Sequence, residues 1–251
     1  MYDMRNAAGR SLWRFFDLSP MTGELSDSIP CRRREDEQRI DRKNRSLLKE
    51  TYRSSPRMQA HPAQEIYRLE HSYRVANIAK AIAEAEGFPV TYAVMAGLLH
   101  DLAYCEEMPS PEDWKNHGRR GAVLARPFLE SLELPAQVVN DICYSIAIHV
   151  DDKADFEWER SHFTEIAGDA DNIDRFDAFR IYEALEYRHF SSMTLEEKWE
   201  RVNSTITALT EYKEKPLGSA TATKLWHQRL DYYLDFYEKL KAQLENSNGI
   251  L

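Results

Sequence analysis

Residues Tyr92–Asp101 run YAVMAGLLHD. From Tyr92 to Leu99 no side chain is charged and only the Tyr92 hydroxyl is polar, so a helix there is apolar on all sides and belongs at the centre of a helical body. It ends in His100 and Asp101, groups that are costly to bury unless paired or bound to a cation. Upstream, Pro62 suits a first helical turn, and His71, Val75, Ile78, Ile82 and Ala85 recur at helical steps until Gly87 and Pro89 stop the pattern. Downstream, past a polar loop with Pro109 and Pro111, a helix from about Trp114 carries His117, Gly121, Leu124 and Phe128 on one face, with Pro127 expected to kink it. Pro135 opens a further helix with Val138, Ile142, Ser145 and His149 in register. One helix is expected over about 161–188, aligning Ile166, Asp169, Ile173, Phe176 and Arg180. Thr194 and Glu197 form a capping box, and Trp226, Leu230, Tyr233, Tyr237, Leu240 and Leu244 make the stripe of a last helix over about 220–244. No strand alternation exceeds four residues. The fold class is all-α.

Composition agrees. The chain has 251 residues, enough for one large or two small cores, and a formal charge of −9. Residues 1–60 hold 13 Lys+Arg against 9 Asp+Glu, whereas the rest holds 20 against 33. That acidic body disfavours stable nucleic-acid binding and suits a protein that gathers divalent cations. The mixed-sign run CRRREDEQRIDRKNR (31–45) reads as a solvated face, with a helix expected over about 36–53. No run approaches the roughly 18 apolar residues of a membrane span, and residues 1–30 lack a signal-peptide core. Cys31, Cys105 and Cys143 form no close pair and leave one over, which points to a reducing compartment. A cytoplasmic protein without a membrane partner is expected, and a homodimer is compatible with the sequence. Leu12, Trp13, Phe15 and Phe16 form a small apolar knot, so residues 1–58 read as an N-terminal extension, 59–190 as the core domain and 191–251 as helices packed on it.

His71, His117 and His149 each fall on the apolar face of a different helix, His100-Asp101 ends the most buried one, and Asp169 points inward on another. One inward histidine is usually a hydrogen-bonded core residue. Six such groups on consecutive helices, with no matching inward Lys or Arg, point to a shared cation. Imidazole and carboxylate together suit Mn, Fe, Co, Ni or Zn, and facing helices of a bundle are a natural place for the site. Neither Cys105 nor Cys143 has a CxxC neighbour, so both read as core or loop residues.

His71, then GLLHD (97–101), then GDADNIDRFD (168–177) resembles the H…HD…D signature of the HD superfamily of metal-dependent phosphohydrolases. His117 in NHGRRGA and His149 in IAIHV extend the likeness to the dinuclear H…HD…H…H…D pattern. The resemblance covers about residues 60–190 and is strongest to small bacterial single-domain HD hydrolases with a DADxxD-type segment, whose C-terminal helices also resemble residues 220–245. The GYP motif of cyclic di-nucleotide phosphodiesterases and the synthetase half of stringent-response enzymes are missing. The resemblance implies an HD-domain helical bundle with the metal site between its central helices. His71, His100, Asp101 and Asp169 would hold a first metal, Asp101 would bridge, and His117 and His149 would complete a second. Asp171 and Asp174 are alternatives to Asp169, which is preferred as the first Asp of its segment and for the inward face it shares with Ile166 and Ile173.

The implied chemistry is attack of metal-bound hydroxide on the phosphorus of a small phosphorylated metabolite, a nucleotide foremost, with one or two divalent transition ions as cofactor. Asp101 is then catalytic as well as a ligand. Arg74, one turn from His71, and Arg119 or Arg120 beside His117 are candidates for phosphate contact, and Glu106 is a candidate general acid. A metal-stabilised regulatory module without turnover and a di-iron oxygenase of HD type are the competing readings.

Overall fold

The computed structural model describes residues 31–247; the apolar knot around Trp13 lies outside them. Among the described residues the regular structure is entirely helical: α1 (Cys31–Ser54), α2 (Pro56–Ala60), α3 (Pro62–Glu86), α4 (Val90–Leu99), α5 (Pro111–Ser131), α6 (Ala136–Ile148), α7 (Ile166–Asp174), α8 (Ala178–Tyr187), α9 (Leu195–Lys213) and α10 (Ala220–Glu245), with 3-10 turns at Leu102–Cys105 and Phe190–Ser192. No described helix is long and apolar enough to cross a membrane.

The helix ends follow from local chemistry. Gly87 closes α3 in the left-handed region at φ 73°, where a side chain would be strained. Thr194 and Glu197 form the expected capping box on α9. A second box, Ser110 with Asp113, starts α5 at Pro111, before Trp114. Pro127 does not end α5, which runs on to Ser131. The single helix expected over 161–188 is two helices. The chain turns after Asp174, and Asp177, in extended backbone, accepts the N–H of Ala178 to begin α8. No Gly or Pro marks that break; the capping carboxylate of Asp177 makes it.

Helix α4 is central, packed against α1, α3, α6 and α7, with Ala93, Met95, Ala96, Gly97, Leu98 and Leu99 buried. Two glycines permit the crossings that matter for the site. A Cβ on Gly97 would lie 2.8 Å from the Ala76 Cα, so α3 and α4 meet backbone to backbone. A Cβ on Gly118 would lie 2.7 Å from the Ala147 carbonyl oxygen and 3.0 Å from His149 Nδ1, which marks the same closeness of α5 and α6. The first crossing brings together the helices of His71 and His100, the second those of His117 and His149.

The C-terminal half of α1 belongs to this core. Leu48 and Tyr52 are fully buried, and the Tyr52 hydroxyl donates to the Asp101 carbonyl oxygen (2.8 Å). Ser55 Oγ donates to the Cys105 carbonyl (2.5 Å) and Arg57 Nη1 to that of Tyr104 (2.6 Å), bracing the 3-10 turn that follows His100-Asp101. At the other end α10 pairs with α9 and reaches α7 and α3. Its aromatic stripe is core: Phe176 meets the rings of Trp226 and Tyr233 at centroid distances of 5.0 and 5.4 Å.

Candidate metal centre

The four inward histidines meet at one point. Each uses Nδ1 on a fixed partner: His100 donates to the Gly97 carbonyl (2.8 Å), His117 to that of Trp114 (2.5 Å) and His149 to that of Ile146 (2.7 Å). A carbonyl oxygen only accepts, so these rings carry their proton on Nδ1 and turn the Nε2 lone pair inward. His71 Nδ1 faces Asp174 Oδ2 at 2.8 Å. The Nε2 atoms then converge in two pairs, His71 with His100 at 3.2 Å and His117 with His149 at 3.0 Å. Asp101 lies between the pairs. Its Oδ2 is 3.5 Å from both His71 and His100 Nε2, and its Oδ1 is 3.3 Å from His117 and 3.7 Å from His149. Two sets of donors, His71–His100–Asp101 and Asp101–His117–His149, each lie within 4.8 Å and could hold a metal ion. Neither set includes a cysteine; Cys105 and Cys143 are free thiols elsewhere.

The donor set fits a divalent transition cation. Facing lone pairs at 3.0–3.2 Å repel unless a proton or a cation stands between them. Burial by itself would lower the His71 imidazole, but the Asp171 and Asp174 carboxylates, with Asp101, hold it up at about 9. Burial pushes His100 down to about 4 against the pull of Asp101. Without a cation, His71 therefore carries the proton of its pair, and a metal ion would take that proton's place. Asp101 is held well below the carboxylate range: burial opposes its ionisation, and the His100 ring, the Arg68 guanidinium and the other imidazoles overcome it.

Asp169 does not face this cluster, which corrects the sequence reading of that position. Its two oxygens accept the Gly218 N–H at 3.1 and 3.0 Å, on the side of the loop before α10. Asp171 stands in the expected place instead, its Oδ1 3.2 Å from His71 Nε2 and 4.0 Å from His100 Nε2. The two carboxylates differ in charge as well as direction. Burial raises Asp169 to about 7 despite the Gly218 N–H. At Asp171 burial acts in the same sense, but Arg175 and His71 hold the group far below the ordinary range. Asp174, three residues on and on the same face, supports His71 from behind.

Two other candidates are also relocated. Arg74 donates Nε to Asp174 Oδ1 (2.8 Å) and Nη2 to Oδ2 (3.2 Å), so it extends an Arg74–Asp174–His71 chain rather than reaching for phosphate. Glu106 forms a two-bond ion pair with Arg120, both bonds 2.6 Å, with side chains 39% and 48% exposed. That pairing lowers Glu106, the wrong direction for a general acid, which needs a raised pKa. Arg119 is bound to Asp151 and Asn116. Two arginines not among the expected site residues are nearer the centre. Arg68 donates Nη1 to Asp101 Oδ2 at 2.6 Å, and Arg175 donates Nη2 to Asp171 Oδ2 at 2.9 Å. Arg68 lies one turn before His71, and Arg175 four residues after Asp171; helical spacing was their only signal in the sequence.

Comparison with known proteins agrees with this geometry. Residues 68–179 match the HD domain family. The fold is shared with a predicted HD superfamily hydrolase from an uncultured Thermotogales bacterium, at 21% identity and a TM-score of 0.54, over 79% of this chain and 91% of that one. It is shared too with Bacillus subtilis YpgQ, solved in complex with ADP, at 15% identity and a TM-score of 0.52, over 83% and 96% of the respective chains. No curated protein matches the chain by sequence. The four histidines and Asp101 all lie inside the segment 68–179 that matches the HD domain family, and the fold is that of the HD proteins it resembles.

Proposed function

We propose that the protein is a metal-dependent phosphohydrolase that holds two divalent transition cations between His71, His100, Asp101, His117, His149 and Asp171 and cleaves a small phosphorylated metabolite, a nucleotide. The HD domain and its histidine–aspartate cluster support metal-dependent phosphohydrolysis in general. The observation that carries the finer reading is the placement of one carboxylate, Asp101, with an oxygen toward each histidine pair. The nucleotide rests on the shared fold of YpgQ, whose structure holds ADP.

When bound, the cations would acidify a water and offset the charge of the phosphoryl oxygens. The chain's own residues do the rest. Asp101 and Asp171 stay anionic at neutral pH and so need no deprotonation to bind a cation. The carbonyls of Gly97, Trp114 and Ile146 keep three imidazoles in the tautomer that presents Nε2, and the Arg74–Asp174 pair orients the fourth. Such outer partners are worth about 10–100-fold in metal affinity or activity. Arg68 donates to the Asp101 oxygen that faces His71 and His100, and Arg175 to the outer oxygen of Asp171, where their charge also suits a phosphate.

Asp171→Ala is expected to weaken Mn²⁺ binding by more than the roughly 10–100-fold that losing an outer partner costs, whereas Asp169→Ala leaves it within a few-fold. Titration calorimetry of both variants checks this, and equal losses would return Asp169 to the site. A screen of nucleoside mono-, di- and triphosphates with Mn²⁺ should give phosphate or pyrophosphate release that a chelator abolishes. Chelator-resistant release, or none with any divalent ion, contradicts the proposal.

A further inference from the structure

A cleft of about 510 Å³ opens beside the metal centre, and its walls include Arg68, Arg175, Arg180 and Arg188 with Glu183 as the one carboxylate. Asp101, Asp171 and Glu183 pair with three of these guanidinium groups, and Arg188 stands exposed beside them. The cleft wall adjoins the centre through Arg68 and Arg175, which donate to Asp101 and Asp171. Arg180 and Arg188, from α8 and its C-terminal cap, form the outer end.

The inner guanidinium is held in place. Arg68 lies 3.4 Å from the Tyr104 ring centroid and 5.3 Å from that of Tyr67. Arg180 packs on the same Tyr67 ring at 5.5 Å, bonds its hydroxyl and pairs with Glu183 (2.7 Å). Tyr67 in turn lies parallel to His71, 5° between planes and 6.0 Å between centroids. Cation–aromatic packing of this kind fixes a planar fork that would otherwise lose side-chain freedom on binding an anion. Four guanidinium groups exceed the need of one phosphate whose oxygens already face two cations.

We infer that the outer arginines, Arg180 and Arg188, bind a second phosphate of the substrate, so that the substrate class is a phosphoanhydride such as a nucleoside di- or triphosphate and not a monoester. This rests on the phosphohydrolase reading and adds to it a specificity device on α8. Arg68 and Arg175 attend the phosphate at the cations, and Arg180 and Arg188 attend the next one along the cleft.

The test uses two probes inert to hydrolysis, methylphosphonate and methylenediphosphonate, which differ by one phosphonate. Their affinities are measured by calorimetry on the full chain in excess Mn²⁺, for wild type, R180Q and R188Q, with bound Mn²⁺ measured alongside. Wild type should prefer the diphosphonate by about tenfold or more, and each variant should lose most of that preference while keeping its Mn²⁺ and its methylphosphonate affinity. Arg188 is exposed, so R188Q tests the site without disturbing the core. Equal affinity for the two probes in wild type overturns the inference. So does an unchanged preference in both variants, since chelation of Mn²⁺ by the diphosphonate would account for it. In either case Mn²⁺ binding persists and the phosphohydrolase reading stands. Failure of the wild-type protein to bind Mn²⁺ overturns both.

Discussion

Asp101→Ala is expected to lose both cations and to lower kcat/KM by at least ~10³-fold, because each cation is worth several kcal/mol of charge stabilisation and every 1.36 kcal/mol is tenfold in rate. Among the described residues no other carboxylate lies within 4.0 Å of both histidine pairs. Its Oδ2 lies 3.5 Å from His71 and His100, and its Oδ1 is 3.3 Å from His117. Removing it leaves the imidazoles to repel one another and takes from Arg68 its 2.6 Å partner. Asp101→Asn keeps the shape and removes the charge, so it should fail nearly as badly. Metal analysis and steady-state kinetics on the two variants check the expectation. Retention of one full cation with half the activity would mean that Asp101 does not bridge.

Gly97→Ala carries the largest expected effect on stability. The new methyl would stand 2.8 Å from the Ala76 Cα and 3.1 Å from its nitrogen, both backbone atoms that cannot rotate away. Overpacking of this kind costs about 1–3 kcal/mol and sometimes more. At ~2–4 °C per kcal/mol for a chain of this size, Tm should fall by roughly 2–12 °C. Separating α3 from α4 also moves His71 from His100, so metal affinity should fall with Tm. Gly168→Ala is the control. Its methyl would meet only ordinary contacts at 3.4 Å and beyond, and alanine favours a helix, so Tm should hold or rise slightly. Scanning calorimetry of both variants decides.

The sequence makes His71, His117 and His149 legible because each falls in register with a helical apolar stripe, where a polar group is conspicuous, and His100 because it ends an apolar run. His71 among Val75 and Ile82 and His149 after Ile142 are read this way, and the central α4 follows from its unbroken apolar run. The aspartates of α7 are a different case. Ile166, Ala167, Asp169, Ala170, Asp171, Ile173 and Asp174 are all buried, so the helix has no solvent face against which periodicity can orient it. Asp169 shares a stripe with Ile166 and Ile173, but that stripe faces the Gly218 loop; the i, i+3 pair Asp171 and Asp174 faces His71. Only the fold, which sets α3 against one side of α7 and the start of α10 against another, distinguishes them. Glu106 and Arg74 elude the sequence for a related reason. Their partners, Arg120 and Asp174, lie 14 and 100 residues away, and a charged group's role depends on which opposite charge reaches it first.

The most direct test of the dinuclear centre is the metal content of the protein purified without added metal, measured beside His100→Ala and His149→Ala. About two equivalents are expected in the wild type, falling to about one or none in each variant, because each histidine belongs to a different pair around Asp101. One equivalent that survives in His149→Ala and vanishes in His100→Ala would contradict the second cation. No bound metal, with no rise in Tm on adding Mn²⁺, Fe²⁺ or Zn²⁺, would contradict the metal centre itself.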